Sequence, residues 1–197
     1  MESGHGESGR GTIRRLVPDE PFPPYSYVNG RSPHPIRDPA GHSFGIIPAP
    51  CPMPDPNRWQ DCRPYLYGLD LFNHGYYWEA HEIWERIWHA AGRTGPVGSF
   101  IKGLIKLAAA GVKSREGRPA GVRSHARRAA ELFSRVANQL RSEQSSYFGL
   151  SLPRLIELAN DAAREPPTSR APTGTPVEIV FPFVLRPNES LPSEPEA

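Results

Sequence analysis

Apolar residues recur at helical spacing through the middle of the chain and break up towards both ends. At about 100° per residue, Tyr76, Ala80, Ile83, Trp84, Ile87 and Ala91 share one face, which predicts an amphipathic helix over 76–91. The same spacing with stop signals predicts helices over 64–74, 97–115, 119–141 and 152–164. Gly75, Gly92 and Gly117 close the first three, and Arg118 and Pro119 follow the last, as suits a C-terminal glycine and a restart. Ser151, ahead of Leu152 and Pro153, is placed to cap the fifth. Short connections make successive helices antiparallel neighbours. The expected fold class is therefore all-α, a compact bundle of about five helices or a stack of helical hairpins.

Proline sets the outer boundaries. Of 24 prolines, 12 precede residue 61 and eight follow residue 165. Pro64, Pro96, Pro119 and Pro153 fall where a helix can begin, because a first-turn N–H has no intrahelical partner to lose. The chain thus divides into a Pro-rich N-terminal arm, 1–60, partly disordered; a helical domain, 61–165; and a Pro-rich C-terminal arm, 166–197. The run Val177 to Leu185 is β-branched and aromatic enough for one short strand, confined to an edge by Pro182. The extreme tails, about 1–16 and 187–197, are expected to be disordered. Phe22, Tyr25, Tyr27 and Phe44 would anchor the first arm over the bundle, where it can cover a pocket near His81.

Charge adds little. Lys plus Arg number 23 against 21 Asp plus Glu, a formal +2, so no global field points to nucleic acid or an anionic membrane. Without an apolar segment of about 18 residues or a leader-like start, the expectation is a cytoplasmic protein without a membrane partner, homo-oligomerisation being left open. Cys51 and Cys62 lack paired C-x-x-C spacing and should be free thiols in a reducing compartment.

The chemistry concentrates on the second helix. His81, Glu85 and Trp88 line one margin of its apolar face, with Glu79, Glu82 and Arg86 on the other. His81 with Glu85, or Glu79 with Glu82, has the spacing to hold one metal ion. The third helix offers no Glu, Asp or His and the fourth only His125 and Glu131, so a four-helix carboxylate cage is not expected. The competing account is structural: His81 and Glu85 bond each other, while Glu79 and Glu82 pair with Arg86 or with lysines of the next helix. Lys102, Lys106 and Lys113 share a face of the third helix and can meet those carboxylates or face water. With Arg123, Arg127 and Arg128 they form a basic surface lacking interleaved aromatics, which argues against nucleic-acid binding.

In the first arm, His34, Asp38 and His42 recur every fourth residue. Pro39 and Gly41 forbid a helix there, and four extended residues span about 13 Å. Asp38-Pro39-Ala40-Gly41 has the residue preferences of a type I turn, which would fold the segment back. Asp38 then either joins His42 at a site or caps its own turn.

The stretch LFNHGYYWEAHEIWERIW, followed by FIKGLIKLAAAGVKSREGRPAGVRSHARRAAEL, resembles the bacterial family catalogued as domain of unknown function 309 over about residues 66–136. The family pattern falls on Asn73, Gly75, Glu79, His81, Glu82, Glu85 and Trp88. The chain departs from it at Lys102 and Lys106, often glutamine in the family, and at Lys113, often histidine. The resemblance implies a compact all-α bundle in a bacterial cytoplasmic protein, and no particular activity.

Two functions follow as expectations. In the first, Glu79, His81, Glu82 and Glu85 are catalytic groups and Asn73, Trp88, Lys102 and Lys106 bind the ligand. His34, Asp38, His42, His81 and Glu85 would hold a divalent metal, with hydrolysis by metal-activated water as the least specific reaction. In the second, the Glu/His/Trp motif is a structural network in a helical-hairpin scaffold that binds a protein partner.

Overall fold

The computed structural model describes residues 13–140, 145–172 and 174–187. Its helices are α1 (Arg63–Asn73), α2 (Tyr77–Ala90), α3 (Gly95–Arg115), α4 (Pro119–Gln139) and α5 (Leu152–Arg164). Prolines occupy the first or second position of α1, α3, α4 and α5, where their missing N–H breaks no helical bond. Between α4 and α5 a minimal antiparallel hairpin pairs β1 (Ser146–Tyr147) with β2 (Leu150–Ser151). Ser151 caps α5 as expected, its Oγ accepting the Arg154 N–H at 3.4 Å.

Each helix packs on its neighbour in sequence: α1 on α2, α2 on α3, α3 on α4 and α4 on α5. Trp84, Phe72, Phe100, Phe133, Ile101 and Leu104 form the centre of one continuous apolar core. No helix among the described residues is long and apolar enough to cross a membrane. Cys51 is half-buried and Cys62 buried, both free, and burial pushes each thiol pKa up.

The start of α2 differs from the periodic reading. Tyr77 is fully buried, whereas Tyr76 and Ile83 are only half-buried. The reason lies in two close approaches. Gly75 turns the chain at φ 89°, and a Cβ there would stand 2.6 Å from the Glu178 carbonyl oxygen. Gly111 of α3 likewise leaves room for the Tyr77 ring, which a Cβ would meet at 2.5 Å. The Tyr77 ring then packs edge-on to Phe72 and Phe181.

Segment 177–185 is irregular, with a bend at Pro182, and joins no sheet. The bundle presents no strand edge there, and side chains take the place of a ladder. Tyr77 Oη accepts the N–H groups of Val180 at 3.0 Å and Phe181 at 3.4 Å. Asn73 accepts the Leu185 N–H at 2.8 Å and donates to the Leu185 carbonyl at 2.9 Å. The expectation of disordered tails falls outside the described residues for 1–12 and 188–197. Leu16 and Val17, by contrast, are docked through their N–H groups on Asp70, and Pro187 is buried.

Candidate functional site

The polar side chains of α1 and α2 divide into two groups. The first holds chain segments in place. Asp70, with no exposed surface, accepts the Leu16 N–H at 2.8 Å and the Val17 N–H at 2.8 Å. Glu79, only 5% exposed, accepts the Tyr27 N–H at 2.8 Å and the Ser26 hydroxyl at 2.9 Å. These carboxylates exchange water for fixed donors, which is how a buried charge is tolerated. Asn73 and Tyr77 serve the C-terminal segment in the same way. Arg115 joins them from the end of α3, bonding the Thr175 carbonyl at 2.9 Å with its Nε 3.6 Å from Glu178. Burial pulls the Arg115 pKa down against the pull of that carboxylate.

The second group faces a cavity of about 230 Å³ between α2, α3 and α4. Trp78, His81 and Glu85 line it from α2; Lys102, Ile105, Lys106, Ala109, Val112 and Lys113 from α3; His125 from α4. His81 Nδ1 lies 3.3 Å from a Glu82 oxygen and its Nε2 3.6 Å from a Glu85 oxygen. One donor atom from each of His81, Glu82 and Glu85 falls within 4.8 Å of the others. No other cluster of this kind occurs among the described residues. Lys102 reaches across from α3 to Glu85 at 3.4 Å while its ammonium stands 3.9 Å above the Trp88 ring. Trp88 is thus a platform for Lys102 at the edge of the cluster.

The basic end of the cavity is electrostatically crowded. Lys106 is pulled below its ordinary pKa first by burial, then by Lys102 and Arg128, with Glu85 opposing. His125 is lowered by burial, then by Lys106, Lys113 and His81, with Glu116 opposing. Lys113 pairs with Glu116 at 2.6 Å.

The N-terminal segment folds back as its turn residues predict: the Gly41 N–H bonds the Asp38 carbonyl at 2.8 Å, and the Ser43 N–H reaches Pro35 at 3.0 Å. Asp38 spends one oxygen on the Ala40 N–H at 2.9 Å, capping its own turn. His34 Nδ1 lies 3.2 Å from the Ile36 nitrogen, and the His34 ring meets Trp78 edge-on at 5.5 Å. His42 Nε2 is 3.4 Å from Glu79. Of the arm residues, His42 therefore reaches an α2 carboxylate, but that carboxylate is Glu79 and not the cavity pair. Tyr27 and His34 both pack edge-on to Trp78, the aromatic residue of the cavity lining.

Asp70 and His125 carry more of this arrangement than the sequence reading assigned them. A signal existed for Asp70: a carboxylate inside the apolar run Leu69 to Phe72, near the C-terminus of a helix, where the macrodipole disfavours negative charge. For His125 no sequence signal separated it from a solvated helix face.

Comparison with curated proteins gave no match. Every residue lining the cavity falls within 65–125, as do Asp70, Asn73, Tyr77 and Glu79, whereas the segments they hold lie outside that span. Residues 65–125, spanning most of α1, all of α2 and α3 and the start of α4, match the family model described as domain of unknown function (DUF309).

Proposed function

We propose that this chain binds a divalent metal or small molecule in the cavity between α2, α3 and α4, with His81, Glu82 and Glu85 as the metal donors. The observation that carries the reading is the gathering of one imidazole and two carboxylates within 4.8 Å, with His81 and Glu85 of that cluster lining the cavity. Metal–N and metal–O bonds of about 2.0–2.2 Å hold ligand atoms no more than about 4.4 Å apart, so small rotamer adjustments suffice. A nitrogen and two oxygens suit a borderline ion such as zinc or manganese and leave positions for water. The chemistry such an ion would supply is activation of a bound water, and hydrolysis is the reaction class proposed. Lys102 acts in the metal-free state as the counter-ion of Glu85 and must yield when a cation enters.

The test is elemental analysis of protein purified without an affinity tag, followed by calorimetric titration with zinc or manganese. Stoichiometric binding abolished in His81→Ala and in Glu85→Ala is the expected result. Binding absent from wild type, or undiminished in both variants, would sink the proposal.

One observation favours a second reading, an interaction scaffold. Asn73, Tyr77 and Glu79 all bond the main chain of irregular segments, as a surface that holds a peptide would. In this chain that surface is filled by the chain's own segments, so a partner would have to displace them.

A further inference from the structure

We infer that the basic end of the same cavity binds the anion of a small phosphate-bearing molecule, with Lys106 and His125 as the groups that hold it. The inference rests on the reading of this cavity as a ligand site, and extends it to the class of ligand.

The lining carries Lys102, Lys106 and Lys113 against one carboxylate, Glu85. Two of these lysines are engaged: Lys102 with Glu85 at 3.4 Å and Lys113 with Glu116 at 2.6 Å. Lys106 forms no ion pair among the described residues, although it is half-buried between two other cations and an imidazole. Positive groups packed this closely repel one another in a medium that screens them poorly. Both Lys106 and His125 respond by becoming easier to deprotonate, burial first and neighbouring cations second. An anion seated among them offsets the repulsion and favours the charged form of both.

The chemistry of the donors selects among anions. No arginine lines the cavity, and it is the planar guanidinium fork that matches a planar carboxylate. Ammonium groups bind phosphate as point charges, and α3 supplies them while α4 adds an imidazole donor. At about 230 Å³ the space falls below the roughly 300–1,000 Å³ of sites for drug-sized ligands, so the body attached to the phosphate must be small. His81 and Glu85 of the acidic cluster line the same cavity, so a metal held there would meet such a molecule.

The probe is inorganic phosphate, titrated into the metal-free full-length chain and followed through the His125 ring-proton resonance, assigned by its loss in His125→Gln. Wild type should shift saturably within about 10 mM, ten times a millimolar Kd. Lys106→Gln should weaken binding about tenfold, the effect of one charged hydrogen bond, while Lys106→Arg retains most of it. Acetate should bind far more weakly. Absence of saturation in wild type, equal binding of acetate, or an unaltered Kd in Lys106→Gln with unchanged far-UV dichroism would each overturn the inference. Zinc titration of the same proteins separates the two readings. Phosphate binding without metal binding overturns the metal proposal alone, and metal binding without phosphate overturns the anion inference alone.

Discussion

Asp70 stands near the C-terminal end of α1, where the helix dipole disfavours it, and is nevertheless wholly buried. Its place is justified by the Leu16 and Val17 N–H groups it accepts, with the Arg15 Nε 3.7 Å away. Removing the carboxylate in Asp70→Ala leaves two donors to find water or go unpaired, a loss of about 1–3 kcal/mol of stability by urea titration. A loss below a few tenths of a kcal/mol would mean that the segment docks without it. Glu178 gives a pH dependence at the same scale. Burial opposes its charge, but the Ser169 hydroxyl, the Arg170 and Ala171 N–H groups and the Arg115 charge outweigh burial and hold its carboxyl below the ordinary 4.5. A carboxylate depressed in the fold contributes stability above its unfolded pKa and loses it as pH falls through the folded value. Stability should therefore decline as pH drops below about 4.5, and Glu178→Gln should be less stable at neutral pH with a flatter acid limb. Parallel acid limbs in the two proteins would assign the acid sensitivity to other carboxylates.

At the scale of elements the helices were legible because each carries its own stop signal: glycines at 75, 92 and 117 and prolines in first turns fall within a residue or two of the observed ends. What was not legible depends on partners far along the chain. Glu79 looked like a polar-margin residue, yet its donors Ser26 and Tyr27 lie 53 and 52 residues upstream. Asn73 reaches 112 residues downstream. No periodicity encodes such pairings, so the motif read as one constellation separates into a clasping group and a cavity group. The α2–α3 contact carries its own prediction. Lys102 neutralises Glu85 at 3.4 Å, so under the proposed metal site Lys102→Gln should tighten zinc binding by about tenfold, or about 1.4 kcal/mol, as a competing cation is removed. A purely structural network predicts the reverse pattern: lower stability and no gain in metal affinity.

At the scale of the whole molecule, the α1–α2 corner receives chain from both ends. Asp70 and Glu79 hold residues 16–27, while Asn73 and Tyr77 hold 180–185, so one helical hairpin fixes two otherwise irregular segments. Side-chain clasps substitute for the sheet that the C-terminal run would have needed, which is why a β-branched sequence ends as irregular chain without a ladder. The two clasps share a corner but not their bonds, and this makes them separable. Asn73→Ala removes both the donor and the acceptor that meet Leu185 and leaves the N-terminal segment untouched; Glu79→Ala does the opposite, freeing the Tyr27 N–H. Because Tyr27 and His34 pack edge-on to Trp78, loosening the N-terminal segment should also open the cavity wall. Limited proteolysis with mass mapping therefore should show first cuts after residue 165 in Asn73→Ala, and within 16–47 in Glu79→Ala. Only the second variant should gain accessible tryptophan fluorescence quenching. Local opening of this kind tracks the free energy of each segment and not global unfolding, so far-UV dichroism should stay near wild type in both. If either variant instead opened both segments together, the clasps would be one cooperative unit, and the N-terminal segment could not uncover the cavity while the C-terminal one stays in place.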